Sequence, residues 1–297
     1  MDKPTRKPRD RQAENVSAKD GLVRRVTEIV ASRHEGRLGD DYIKIAQAMI
    51  LCTLPYSEQA DRQITRRARL GDGTYLAVTF TAGAPGVPVP FGADRKLLAW
   101  IFDRAIRSGD PFVSWESASE YQREMGIAMG GRANRQLNER FKRVAGLVIN
   151  IQRHSEGPEN DDVTYPARQF SVIEDSWLPS SIAGTTIEAD ERQSTLPELR
   201  NRFGVQLNAR LFADIRKHNV VLPRDIWREI KGTTQVQDLV FWLIFRCYSA
   251  RTPTVIPWAA LKEQFPQDSN PWRLRSNTRE AIRILRALWP PCTPGGG

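Results

Sequence analysis

Residues 114–153, SWESASEYQREMGIAMGGRANRQLNERFKRVAGLVINIQR, restrict the possible fold more than any other part of the chain. Ser117 and Glu120 stand at capping-box spacing, where the hydroxyl accepts from the Glu120 backbone N–H and the carboxylate reaches back, so a short helix starts there. Gly126 and the Gly130-Gly131 pair interrupt it. In the helix that follows, Ala133, Leu137, Phe141 and Val144 recur at four, four and three residues and define a buried stripe. The opposite face carries Arg132, Arg135, Asn138, Lys142 and Arg143. Residues 147–153 then alternate apolar and polar, as a half-buried strand does. Helix, glycine turn, basic amphipathic helix and strand, in that order, are the parts of a winged helix-turn-helix.

The chemistry of the basic face suits DNA. Arginine bonds bidentately to guanine, asparagine to adenine, and lysine to phosphate. An ordinary solvated helix face is the competing reading, because most charged helix faces are only that. Charge distribution favours the DNA reading. The chain of 297 residues carries a net charge of +9, of which residues 131–153 supply +5 and residues 272–289 supply +4. The excess is therefore concentrated on two helix-forming segments, the electrostatic footprint of a surface that releases counterions from phosphates. Arg153, which closes the strand, is grouped with the DNA-contacting residues.

Around this centre the chain divides into four parts. Residues 1–38 are polar and interspersed with Lys3, Arg6, Lys7, Arg9 and Arg11, and are expected to be a disordered basic arm. Residues 39–174 form the first unit. It should open with a helix over 40–53, pass through a strand over 74–81 and a Pro/Gly-rich loop, and continue with a helix over 93–108 and a short strand over 112–115. Strand 147–153 and strand 168–173 make a wing hairpin whose tip, with Glu156, Glu159, Asp161 and Asp162, phosphates would repel. Residues 175–200 read as a linker. Residues 201–297 form a second unit with a strand over 203–207, a helix over 209–218 capped by Asn208, and a helix over 235–248 that is apolar nearly all round. The expected class is α+β and helix-rich, with two tandem winged-helix domains.

Two segments look like copies of one another. LLAWIFDRAIRSGDPFVSW and LVFWLIFRCYSARTPTVIPW each hold an apolar helix, a basic residue past its middle, a proline turn and a short strand closing on Trp. After the second, residues 273–289 repeat the basic amphipathic helix, with Thr278, Ile282, Leu285 and Trp289 as its core stripe. Arg273, Arg275, Arg279 and Arg283 are its candidate DNA contacts. Two such helices in tandem would engage successive stretches of a duplex.

Several activities find no support in the sequence. There is no GxxxxGK[ST] phosphate loop, and Gly71-Asp72-Gly73 reads as a hairpin turn. His34, His154 and His218 are isolated from cysteines and acids at ligand spacing, so neither a metal nor any other cofactor is expected, and the chain reads as a non-enzyme. Cys52, Cys247 and Cys292 are read as free thiols in a reducing cytoplasm. The longest apolar run, 239–245, is too short to span a bilayer, so no membrane association is expected.

The stretch PVPFGADRKLLAWIFDRAIRSGDPFVSWESASEYQREMGI resembles plasmid-encoded replication initiators of the RepA family. The residues that carry the resemblance are the Pro90-Phe91-Gly92 turn, Arg95, Leu97, Leu98, Trp100 and the serines Ser117 and Ser119. LNARLFADIRKHNVVLPRDIWREI, DLVFWLIFRCYSA and IPWAALKEQF are similar to that family's second winged helix. Phe91 stands where the family usually has Tyr. The resemblance implies binding of double-stranded DNA at repeated origin sites, opening of the duplex and recruitment of host replication initiation and helicase proteins. It also implies a homodimer that represses its own gene, in equilibrium with an initiating monomer. The chain ends in PPCTPGGG soon after the second basic helix, whereas the family continues into a second wing. Either that domain does without its wing, leaving a sheet edge uncovered, or this is a truncated form. A transcriptional repressor and a protein-interaction scaffold are the rival readings.

Overall fold

The computed structural model describes residues 42–70, 74–127, 130–155, 168–177, 203–224, 227, 230, 233–249, 254–265 and 271–288. The expected basic arm, most of the linker, the acidic wing tip and Trp289 lie outside the described residues.

The first element corrects the sequence reading. Instead of a helix over 40–53, Tyr42–Ala46 is a strand (β1), followed by a short helix, Gln47–Leu51 (α1). Strand β1 pairs antiparallel with Asn219–Pro223 (β9), Ile43 opposite Leu222 and Ile45 opposite Val220. Both of its faces are covered, and Ile43 is fully buried. A strand buried on both sides has a continuous apolar run, which periodicity alone does not distinguish from a helix.

Gln63–Arg69 (β2), Thr74–Ala82 (β3), Leu147–Ser155 (β5) and Arg168–Ser171 (β6) form an antiparallel sheet in the order β2-β3-β5-β6. The wing hairpin is present as the β5–β6 pair, with Ile149 opposite Phe170. At Val172 the chain leaves this sheet. Its N–H donates to the Leu147 carbonyl, while its own carbonyl accepts from Asn208, and the next strand, Ile173–Trp177 (β7), belongs to a second sheet. That sheet has the order β4-β8-β7, from Phe112–Trp115 (β4) and Phe203–Leu207 (β8). Residues 203–223 read from sequence as the start of the second unit, yet β8 and β9, the latter a strand not expected from the sequence, hydrogen-bond to β4, β7 and β1, so backbone pairing runs across residue 200.

Helix Asp94–Ser108 (α2) lies at the centre, with Leu97, Trp100 and Ile101 fully buried. Ala118–Glu124 (α3) and Gly131–Ala145 (α4) follow β4. Ala209–Lys217 (α5) is capped as its sequence suggests, the Asn208 side chain accepting from the N–H groups of Arg210 and Leu211 at 3.0 and 3.1 Å. Thr234–Ser249 (α6), Trp258–Gln264 (α7) and Pro271–Leu288 (α8) complete the described elements. The strand expected just before Trp258 is absent: residues 254–257 have no regular structure, and Val255 is 92% exposed. Cys247, in the last turns of α6, is disulfide-bonded, contrary to the free thiol expected. Cys52 is free and buried, and desolvation pushes its thiol up to about 12.

The internal repeat holds at the level of contacts. The Trp100 indole N–H donates to Glu124, the last residue of α3, at 2.6 Å. The Trp242 indole N–H donates to Gln264, the last residue of α7, at 2.7 Å. Four residues beyond each Trp an arginine covers its ring, Arg104 at 4.9 Å and Arg246 at 5.3 Å. One device therefore ties the apolar helix of each repeat to the short helix after it.

The turn that precedes α2 depends on Gly92, whose φ of +54° lies in the left-handed region and whose N–H donates to the Pro55 carbonyl at 2.9 Å. A Cβ there would sit 3.3 Å from the Tyr56 carbonyl oxygen. Gly92→Ala is expected to lower unfolding free energy by about 1–2 kcal/mol in urea denaturation. An unchanged midpoint would show that the turn relaxes without cost.

Candidate nucleic-acid interface

Helices α3 and α4 form the helix-turn-helix, joined by a turn in which Gly130 has φ +132°. The Gln122 amide donates to the Asn134 side-chain oxygen at 2.9 Å and fixes one helix against the other. The expected capping box does not form: the Ser117 side chain makes no cap hydrogen bond, and it is the Ser117 carbonyl that accepts from the Glu120 N–H, at 3.1 Å. Glu120 accepts from the Glu116 N–H at 2.9 Å instead of from the N-cap residue, and its other oxygen pairs with Arg104. Leu137, Phe141 and Val144 are buried as the spacing requires, and Ala133 is half-buried. Phe141 stacks on Trp115 at 5.3 Å, which seats α4 on the strand before it.

The outward residues of α4 do not all serve one role. Arg132 and Arg135, in the first turns, are exposed. Asn138 is half-buried at the edge of the face. Lys142 donates to Glu139 at 3.0 Å, and that carboxylate, 60% exposed, places a negative charge within the face. Gln136, an exposed amide beside Arg132 and Arg135, was not selected from the sequence, although one more residue of helical periodicity includes it.

Arg143 is a correction. Its guanidinium bonds bidentately to Asp94, Nε to Oδ2 at 2.6 Å and the terminal nitrogen to Oδ1 at 2.9 Å, and lies 4.5 Å over the Phe91 ring. The Asp94 side chain is 1% exposed. Burial alone would lower the Arg143 pKa, but the hydrogen bond and charge of Asp94 outweigh it and raise it. This arginine anchors the end of α4 to the start of α2, so it is committed to the fold. No local signal in the sequence reveals this, since Asp94 is 49 residues away. Arg153 lies on β5 in register with Leu76 of β3.

The second basic helix, α8, buries Leu274, Thr278, Ala281 and Leu285; Ile282 is half-buried. The Thr278 hydroxyl is satisfied by the Leu274 carbonyl at 2.7 Å. Arg275, Arg279, Arg283 and Arg286 are exposed and follow one another at four, four and three residues, a single face. Arg286 joins the candidates chosen from sequence. Arg273 is exposed too, but a two-residue offset turns it roughly 160° from Arg275, off that stripe. Arg283 pairs with Glu280, whose carboxyl that hydrogen bond holds below its ordinary range. Arg275 sits between two indoles, 5.6 Å from the Trp258 ring and 5.5 Å from that of Trp272, which is 72% exposed.

Among the described residues no group of histidine, cysteine and acidic side chains could hold a metal ion. No described helix is long and apolar enough to cross a membrane.

With this geometry, the chain is similar in fold to RctB domains 2-3. The crystal structure of RctB domains 2-3, RctB residues 155–483, superposes with TM-score 0.50. That match covers 80% of this chain and 83% of the other at 14% identity. A second structure of the same two domains, a selenomethionine derivative, gives 0.46 at 12% identity, covering 81% and 85%. At such identities the likeness speaks for the fold alone. No protein-family model and no curated protein sequence matches the chain.

Proposed function

We propose that this protein is a replication initiator that binds repeated sites on double-stranded DNA through α4 and α8, without catalytic activity of its own. The observation that carries this reading is the single-faced arginine row of α8, in a unit that contains the same Trp–Arg device as the unit of α4. Two basic helices at equivalent places in a duplicated unit suit two successive segments of a duplex. In α4, Arg132 and Arg135 occupy the first turns, the part of a recognition helix that reaches base edges. Arg279 and Arg286 suit phosphates. In this reading the protein is of the plasmid RepA kind, acts in the bacterial cytoplasm, helps open the origin and recruits host initiation and helicase proteins. Its homodimer represses its own gene.

The test is fluorescence anisotropy against duplexes tiling the DNA beside the gene, with random duplex as control, over a salt series. The Arg132→Ala/Arg135→Ala variant is expected to lose at least about tenfold on the preferred duplex and much less on random DNA. The Arg279→Ala/Arg286→Ala variant should weaken both alike and reduce the salt slope by about two. Salt-insensitive, weak binding by the unaltered protein to every duplex would sink the reading.

A further inference from the structure

Trp272 and Val255 are the two large apolar residues that stand out in water among the described residues. Trp272 is at the second position of α8, and Arg275 one turn later holds its guanidinium between the Trp272 and Trp258 rings. A cation held between two indoles restricts the rotamers of all three side chains, so the exposed ring is presented in an ordered position. From there Arg279, Arg283 and Arg286 continue along the same face. The only acid in α8, Glu280, is engaged by Arg283, so the face stays net positive. From Trp272 to Arg286 the helix rises about 21 Å.

A flat aromatic surface followed by a row of cations fits an unpaired nucleic-acid strand better than a duplex. Bases inside a duplex are already stacked on their neighbours, and exposing one costs a few kcal/mol of unstacking. In a single strand each base has a free π-face, which an indole can cover whatever the sequence, while arginines follow the backbone. We propose that Trp272, ordered by Arg275 and Trp258, is a stacking site for a base of single-stranded DNA, with Arg279 and Arg286 holding the phosphates beyond it. The site adds to the proposed duplex contacts of α8 and rests on the reading of this helix as a DNA-binding element.

The experiment compares the full chain, Trp272→Ala and Trp272→Phe by anisotropy on a labelled oligothymidylate and on the preferred duplex. Trp272→Ala is expected to weaken the oligothymidylate about tenfold or more, with duplex binding within about twofold and Trp272→Phe recovering most of the loss. Equal losses on both substrates, an unaffected oligothymidylate, or a Trp272→Phe variant no better than Trp272→Ala would overturn the stacking site. If the unaltered protein binds duplex but not the oligothymidylate, this inference alone falls. If it binds neither, the DNA-binding reading falls with it.

Discussion

Asp238→Ala is expected to cost about 3–5 kcal/mol of unfolding free energy, one of the two largest single-residue effects anticipated in this chain. Asp238, on α6, forms an ion pair with Arg95 on α2, each side chain 9% exposed, so the pair joins the first unit to the second. Arg95 also donates to the carbonyls of Gly92 at 2.8 Å, Leu54 at 2.7 Å and Pro55 at 2.9 Å, and its guanidinium lies 4.8 Å over the Tyr56 ring. Desolvation pushes its pKa down to about 10, so it remains charged at neutral pH. Without Asp238 that buried charge would keep only carbonyl acceptors and the more general field of Asp94, beside a small cavity lined by Ile50, Leu98, Phe102 and Trp227. Urea denaturation checks the loss, and the curve should broaden or divide in two, because the contact removed is one between units. Arg95→Met/Asp238→Leu should recover only part of the stability, since three carbonyls would lose their donor. A loss below about 1 kcal/mol for Asp238→Ala would show that those carbonyls satisfy Arg95 alone.

Arg143→Ala separates a reader of DNA from an anchor of the fold. Removing the guanidinium leaves the buried Asp94 carboxylate with the Phe91 N–H at 3.0 Å and a more distant Arg140 at 3.8 Å. The expected loss is about 2–4 kcal/mol. Arg143→Lys should rescue little of it, because an ammonium cannot reproduce the two-pronged contact or lie flat on Phe91. Thermal or urea unfolding reads the effect, and DNA affinity per folded molecule should change far less than for Arg132→Ala/Arg135→Ala. Unaltered stability combined with a large, sequence-selective affinity loss would return Arg143 to the DNA-contacting face.

These two ion pairs explain why the Pro90–Arg95 turn stands out in the sequence. Its residues read there only as marks of resemblance. In the structure Gly92 sets the bend, Phe91 and Asp94 receive the end of the basic helix, and Arg95 reaches the other unit. The motif is a junction of three elements. Its partners, Arg143 and Asp238, are far away in the chain, so no local pattern identifies them.

The sequence by itself determined the parts that repeat along the chain. Helical spacing located α2, α4, α6 and α8, β-branched and aromatic content located β3, alternation located β5, and Asn208 marked a cap, because these signals depend on near neighbours. The repeated Trp and the basic residue following it were also visible, and each makes the same contacts in both units. Tertiary structure decided what depends on distant partners. Strand β1 exists because β9, more than 170 residues later, supplies its hydrogen bonds. Arg143 is bound to Asp94 because folding brings α2 beneath the end of α4, and Arg286 lines up with Arg275 and Arg279 because the packing of α8 left that side to solvent. A residue's type and spacing set which contacts it is able to make, but only the folded chain decides whether a guanidinium meets a carboxylate or water.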